Sequence, residues 1–277
     1  MPLATLKDVL APAKEQGYAV AGFVVLGWED ARAYVRAAEA TNSPVILQAG
    51  PGCRAHTPLE VLAPMFRHLA ETASVDVVAH LDHGYEAADC FKAVDLGFSS
   101  VMFDGSKLAI EENIEITRSI ADYAHKHGVS VEGEVGYVGY AEGANSAGTK
   151  VGEAALFARQ SGADAMAISI GNVHLQQEQA AEIDFDLLRK IEADCDIPLV
   201  LHGGSGIPSA VRQKLAQSSH VSKFNIGTEV RMAFGKSLRD VLSDNPDMFD
   251  RISILKPTEE AVFEAAKQVI KPLLPRS

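Results

Sequence analysis

The sequence contains no apolar run approaching the roughly 20 residues needed to span a bilayer, so a helical membrane protein is excluded. Positive charge is in deficit: 25 Lys and Arg stand against 37 Asp and Glu, for a formal net charge of -12. The basic residues are scattered and form no stripe, which argues against nucleic acid as a partner. An anionic small molecule would need local help from backbone amides or a metal. Cysteine is sparse. Cys53, Cys90 and Cys195 are odd in number and far apart, with no pair at metal-ligand spacing, and are expected to be reduced core residues. Linkers, low-complexity segments and short repeats are missing too, so residues 1–277 are expected to form a single domain. Residues 1–14 show no basic segment followed by an apolar core, and a cytoplasmic location is expected.

What is present is an ordinary globular composition, 47% hydrophobic and 22% charged, long enough for a sizeable core. Apolar runs of strand length fall at 18–25, 44–48, 76–81, 99–104, 129–134, 165–170, 198–202 and 221–226. Segments with helical spacing precede or follow each of them, at 3–15, 28–40, 59–71, 87–96, 110–127, 151–161, 184–193, 209–218, 228–242 and 258–273. Eight strands alternating with helices predict a parallel sheet closed into a (β/α)8 TIM barrel.

In such a barrel the chemistry lies where strands end. The third strand ends in His80-Leu81-Asp82-His83-Gly84, with Asp82 and His83 expected on different faces unless the turn begins first. Asp104 and Glu134 end the fourth and fifth strands, His174 follows the sixth, and His202 and Asn225 end the seventh and eighth. Taken singly, each histidine is more often a surface or satisfied residue than a ligand. Jointly, three imidazoles at one rim with carboxylates nearby suit Zn²⁺ or a similar divalent ion. His202-Gly203-Gly204-Ser205-Gly206 and Asn225-Ile226-Gly227-Thr228, the last read as a helix N-cap, are turns whose amides can approach an anion. They occupy the two loops where barrels commonly hold phosphate.

These residues, with the stretches 97–106 and 127–136, resemble the class II, metal-dependent ketose-phosphate aldolases over nearly the whole chain. That group contains the fructose-bisphosphate and tagatose-bisphosphate aldolases and the deoxy-phosphogluconate aldolase of inositol breakdown. The resemblance implies reversible retro-aldol cleavage of a ketose phosphate into dihydroxyacetone phosphate, or a similar donor, and an aldehyde. It implies that His83, His174 and His202 bind the catalytic Zn²⁺, Co²⁺ or Mn²⁺, and that Asp82 is the acid/base. Asp104 and Glu134 would support that site or hold a second divalent or a monovalent cation. Gly203, Ser205, Asn225, Gly227 and Thr228 would cradle the phosphate, and Glu142 falls where a loop glutamate is proposed to move the proton at the enolising carbon. A homodimer or homotetramer is expected. The chemistry is coherent without the name, because removing a proton next to a carbonyl needs a sink, and a cation held by neutral imidazoles keeps enough charge to polarise that oxygen.

The departures surround the substrate. Val24 stands where the family usually has Asn, Gly50 where it has Ser or Thr, and Leu175 where it has Gly; the usual Gly-Gly-x-Glu-Asp loop reads Gly139-Tyr140-Ala141-Glu142-Gly143. An intact metal site beside a rebuilt pocket predicts a substrate other than fructose 1,6-bisphosphate, with a smaller, less charged or unphosphorylated aldehyde. Two rival readings are a metal-dependent epimerase, isomerase or lyase on a related sugar, and a non-catalytic sugar-phosphate binding protein. Asp82, Glu134 and Glu142 speak against the second, since binding alone needs no proton-transfer groups.

Overall fold

The computed structural model describes residues 3–275 apart from 142 and 144. Its centre is a closed barrel of eight parallel strands in sequence order, β1 (Val20–Val24), β2 (Val45–Ala49), β3 (Val77–Gly84), β4 (Ser100–Phe103), β5 (Ser130–Val135), β6 (Ala165–Ile168), β7 (Leu199–Leu201) and β8 (Val221–Ile226). Closure is made by β8 pairing with β1, Asn225 beside Gly22. The helices are α1 (Leu6–Gln16), α2 (Trp28–Thr41), α3 (Pro51–His56), α4 (Leu59–Thr72), α5 (Ala87–Asp95), α6 (Ile110–Lys126), α7 (Val151–Gln160), α8 (Phe185–Asp194), α9 (Ser209–Ser218), α10 (Thr228–Asp244) and α11 (Arg251–Ile270). The expected fold is therefore the observed one: a (β/α)8 barrel in one domain.

Side chains alternate across each strand, and this sorts the core into two layers. In β5 and β6, Val131, Val135, Met166 and Ile168 face the surrounding helices. Ala165 and Ala167 face inward and meet Val20, Ile46, Val78 and Val200. α1 closes the N-terminal mouth against this inner layer with Leu6, Val9, Leu10 and Ala13, one stripe at helical spacing. Its start is set by a capping box, Thr5 Oγ1 accepting from Asp8 N–H at 3.2 Å while Asp8 accepts from Thr5 N–H at 2.9 Å. Replacing Leu10 by Ala would cost about 2–5 kcal/mol. With the bottom sealed by apolar packing, polar residues of the strands are left to the opposite, C-terminal end.

Two strand ends differ from expectation. β3 runs on through His83 to Gly84, and its register against β4 slips between Leu81 and Gly84. Gly84 is required there, because a Cβ would come within 2.9 Å of both Cys90 Sγ and the Met102 carbonyl. After β2, where no helix was expected before residue 59, Pro51–His56 form α3, with Pro51 at the first helical position where a missing N–H costs nothing. All three cysteines are free and buried. No helix among the described residues is long and apolar enough to cross a membrane.

Candidate active site

The slip in β3 decides the site. An ideal strand would send Asp82 and His83 to opposite faces, but His83 has φ +52°, and this left-handed turn brings both side chains into one cleft. The cleft, of about 150 Å³, opens at the C-terminal mouth of the barrel. Arg54 of α3 holds the turn: its guanidinium donates to the carbonyls of Ala49 (2.7 Å), Asp82 (2.6 Å) and His83 (2.9 Å). Nothing in the sequence singled out Arg54, because its partners are backbone atoms of two other strands.

His83, His174 and His202 each offer a ring nitrogen, and these atoms lie within 4.8 Å of one another. His83 also belongs to a second such group with Asp104 and Glu134. The ring centroids are 4.6 Å apart for His83 and His202, 5.4 Å for His83 and His174, and 5.6 Å for His174 and His202. Asp104 Oδ2 lies 2.8 Å from His83 Nδ1, and its other oxygen accepts from the Ser106 hydroxyl at 2.6 Å and amide at 3.2 Å. Burial opposes a charge on Asp104, but the hydrogen bonds from His83 and Ser106 outweigh it and hold the carboxyl well below its ordinary range. Burial likewise opposes an imidazolium at His83, yet Asp82, Asp104 and Glu134 together lift its pKa to about 9. Burial and the neighbouring imidazoles push His174 down to about 3. His202, fully buried, is also held neutral, by burial first and then by His83.

Beneath these residues lies a polar network inside the barrel. Lys223 Nζ donates to Glu132 Oε2 at 2.6 Å and lies 3.2 Å from His80 Nε2, and His80 Nδ1 lies 2.8 Å from Ser100 Oγ. Burial and the Lys223 ammonium keep His80 neutral. Glu132 Oε1 sits 3.1 Å from His202 Nε2, so the neutral ring donates there and keeps its lone pair on Nδ1. That Nδ1 is buried and has no hydrogen-bond partner, and neither does Glu134 Oε2, 3.7 Å away. Two orphaned electron-pair donors facing one another, beside two further imidazoles, fit a divalent cation as the missing partner. Burial first, and then Asp104, raises Glu134 to about 8.

Asp82 is held by two amides on one oxygen: Gln48 Nε2 at 3.2 Å and Asn225 Nδ2 at 3.1 Å both donate to Oδ1. The other oxygen, Oδ2, faces the β2 end, 3.2 Å from where a Cβ on Gly50 would lie. On the far side, Gly203, Ser205, Asn225, Gly227 and Thr228 all line the cleft. Gly203 has φ +64°, and a Cβ there would overlap the Val173 carbonyl, so the β7 turn and the His174 loop pack backbone to backbone. Ser205 Oγ accepts from the amides of Gly227 and Glu229 at 3.3 Å, tying this turn to the start of α10. Thr228 proves to be the first residue of α10 and Gly227 its N-cap, a shift of one from the expected cap.

The loop after β5 is pinned where it is described. Tyr137 and Ala147 exchange backbone hydrogen bonds of 2.8 Å, and His174 N–H donates to the Gly139 carbonyl at 2.8 Å. Tyr140 thereby stacks on His174, centroids 5.0 Å apart, and Tyr85 stacks on His83 at 6.2 Å. Leu175 has φ +60°, a left-handed backbone retained without glycine. Glu142 lies outside the described residues.

The family description "Fructose-bisphosphate aldolase class-II" matches residues 4–274. A fructose-bisphosphate aldolase of Staphylococcus epidermidis is 36% identical over 282 residues, covering 98% of this chain and 97% of that one. A 6-phospho-5-dehydro-2-deoxy-D-gluconate aldolase of Bacillus velezensis is 38% identical over 277 residues, covering 98% and 95%. The crystal structure of the YdjI aldolase from Escherichia coli K12 superposes with a TM-score of 0.84 at 32% identity, covering 99% and 98%. The two sequence relatives differ in the sugar their names carry. With its site drawn from six strand ends spread along the sequence, this chain belongs to the class II fructose-bisphosphate aldolase family.

Proposed function

We propose that the protein is a divalent-metal-dependent aldolase, an aldehyde-lyase that makes and breaks a carbon–carbon bond in a ketose phosphate, with dihydroxyacetone phosphate or a close analogue as donor and a substrate other than fructose 1,6-bisphosphate. The observation that carries this reading is the convergence of three imidazole nitrogens within 4.8 Å at a cleft also lined by Asp82. His83, His174 and His202 would hold the ion, with Asp104 and Glu134 supporting it or holding a second divalent or a monovalent cation. Zn²⁺ suits an imidazole set, and Co²⁺ or Mn²⁺ would serve. When bound, such a cation supplies Lewis acidity at the donor's carbonyl oxygen.

The chain's own groups do the rest. Gly203, Ser205, Asn225, Gly227 and Thr228 place amides, hydroxyls and the α10 N-terminus around the donor phosphate. Asn225 and Gln48 hold one oxygen of Asp82 and leave the other to exchange a proton with the hydroxyl that becomes the aldehyde. In cleavage, Asp82 takes that proton, the electron pair of the broken bond passes to the donor fragment, and the donor carbon is reprotonated, a role the resemblance gives to Glu142. Tyr85 and Tyr140 cover the His83 and His174 rings and narrow the route for water. Homodimeric or homotetrameric assembly in the cytoplasm belongs to this reading.

The test is proton exchange. NMR should show dihydroxyacetone phosphate losing one prochiral C3 proton to D2O; the exchange should stop on chelation and return with Zn²⁺, Co²⁺ or Mn²⁺. Bound metal without exchange would refute this donor. Isomerised sugar without cleavage products would replace the aldolase reading with an isomerase. Efficient cleavage of fructose 1,6-bisphosphate would refute the divergent substrate.

A further inference from the structure

Tyr85 and Tyr140 come from separate segments, one just past the end of β3 and the other in the loop after β5, and both line the cleft. The Tyr85 hydroxyl donates to that of Tyr140, so the two rings form an arch at the opening. Each ring rests on an imidazole: Tyr85 lies 30° from the plane of His83, and Tyr140 lies 27° from the plane of His174. Backbone bonds on either side of Tyr140 fix its ring further, with Ala141 N–H donating to the His174 carbonyl at 3.0 Å and His174 N–H to the Gly139 carbonyl at 2.8 Å. Tyr85 is 49% exposed and Tyr140 37%, so the arch is open to what enters the cleft and is not core packing.

A phenol offers one proton and two lone pairs. Tyr85 directs its proton to Tyr140 and keeps its lone pairs, while the proton of Tyr140 is accepted by no described residue. One free donor beside one free acceptor complements a hydroxyl group, which accepts and donates at once. An anion is a poorer match, because carboxylates stand behind the arch: Asp104 and Asp82 act on Tyr85, and Asp104 and Glu134 on Tyr140. An alkyl group would strip water from both hydroxyls without replacing its bonds. The ring faces add apolar surface for the C–H side of a sugar chain. Position says which half of the substrate reaches this arch. In the eight-strand order β3 stands opposite β7, so Tyr85 lies across the barrel mouth from the turn at Gly203 and Ser205 proposed for the donor phosphate. Asp82, proposed to serve the hydroxyl that becomes the aldehyde, precedes Tyr85 on the same segment. We infer that Tyr85 and Tyr140 act as a pair that binds a hydroxyl of the aldehyde fragment beyond its carbonyl, and so select acceptors that carry a hydroxylated chain. This rests on the aldolase reading and narrows its acceptor.

The experiment compares metal-loaded wild type, Y85F, Y140F and the double variant in aldol addition of dihydroxyacetone phosphate to propanal, lactaldehyde, glyceraldehyde and erythrose. Phenylalanine keeps both rings on their imidazoles and removes only the hydroxyls. In each single variant, kcat/KM for at least one hydroxylated aldehyde should fall about three- to tenfold beyond any loss on propanal. The double variant should lose about as much as either single one, because the two hydroxyls recognise one group together. Equal losses on propanal and on every hydroxylated aldehyde, or single losses that add in the double variant, would overturn the inference. Calorimetry separates it from the aldolase reading. Mannitol 1-phosphate and glycerol 3-phosphate share a phosphate and differ in the length of the polyol chain; wild type should prefer the longer, and Y140F should lose about three- to tenfold of that preference. If no aldehyde is turned over and this difference holds, the aldolase reading falls and the tyrosine site stands. The same preference in both proteins, or none in wild type, would overturn the site.

Discussion

The two halves of the cleft are built on opposite principles. On the side of β3 to β8 the polar groups are interlocked: Lys223 with Glu132, Glu132 with His202, His83 with Asp104, Asp104 with Ser106. On the side of β1 and β2 the wall is Val24, Gly50 and Cys53, and the buried Nε of Arg231 has no hydrogen-bond partner. Interlocking fixes proton positions and ring orientations, which proton-transfer chemistry needs. A plain wall fixes nothing until a ligand arrives. On the proposed aldolase reading, the contrast places the chemistry in the barrel and leaves the choice of substrate to a few side chains at one edge.

The largest expected effect tests the interlocked half. Asp82→Asn should lower kcat by about 10² to 10⁴ while metal content, measured by atomic emission, stays at the wild-type level. Full turnover by this variant would remove Asp82 from the chemistry. Next is the buried base of the same half. Lys223→Met leaves Glu132 without its cation and should cost about 3–5 kcal/mol in urea unfolding, and metal affinity should fall about 10- to 100-fold as His202 loses its fixed tautomer. Unchanged stability and affinity would mean that the network only fills space.

A smaller effect is expected where the two halves meet. Arg54→Met frees the Asp82 and His83 carbonyls and should cost about 1–3 kcal/mol, with weaker metal binding and lower kcat together. Arg54→Lys should restore little, since one ammonium cannot span three carbonyls. Stability loss with unchanged metal affinity would show that the His83 turn holds itself.

The smallest effect lies behind the plain wall. Burial raises the Asp30 carboxyl to about 6, against the opposing hydrogen bond from Leu26 N–H. Between the ordinary carboxylate pKa near 4 and about 6, the folded protein then binds more protons at this site than the unfolded chain, so its contribution to stability falls as pH rises through that window. Asp30→Asn should be more stable than wild type above about pH 6, and the difference should vanish near pH 4. A difference independent of pH would trace to packing and not to charge.

Much of this was legible beforehand because the signals are local. Each strand is a short apolar run, and each proposed metal ligand lies at or just past the end of one, so counting eight units placed His83, His174 and His202 on one rim. The amide-rich turns at Gly203 and Gly227 announced themselves by composition. Period-two alternation would also have grouped Glu132 with Glu134 and Lys223 with Asn225 on the inner face, had it been applied inside the barrel as well as at its rim. Arg54 and Arg231 gave no such signal. Each sits on a helix and not at a strand end, and only the folded chain shows that one grips backbone carbonyls and the other faces the cleft.

The sequence by itself determined the barrel, its order and the residue types at its mouth, because hydrophobic periodicity and glycine placement act over a few residues. Only the tertiary structure decided that Asp82 and His83 share a cleft, through a register slip that depends on β4. Only it left His202 Nδ1 and Arg231 Nε without a hydrogen-bond partner, because whether a polar group finds a partner depends on atoms contributed by distant strands, and no local pattern records them.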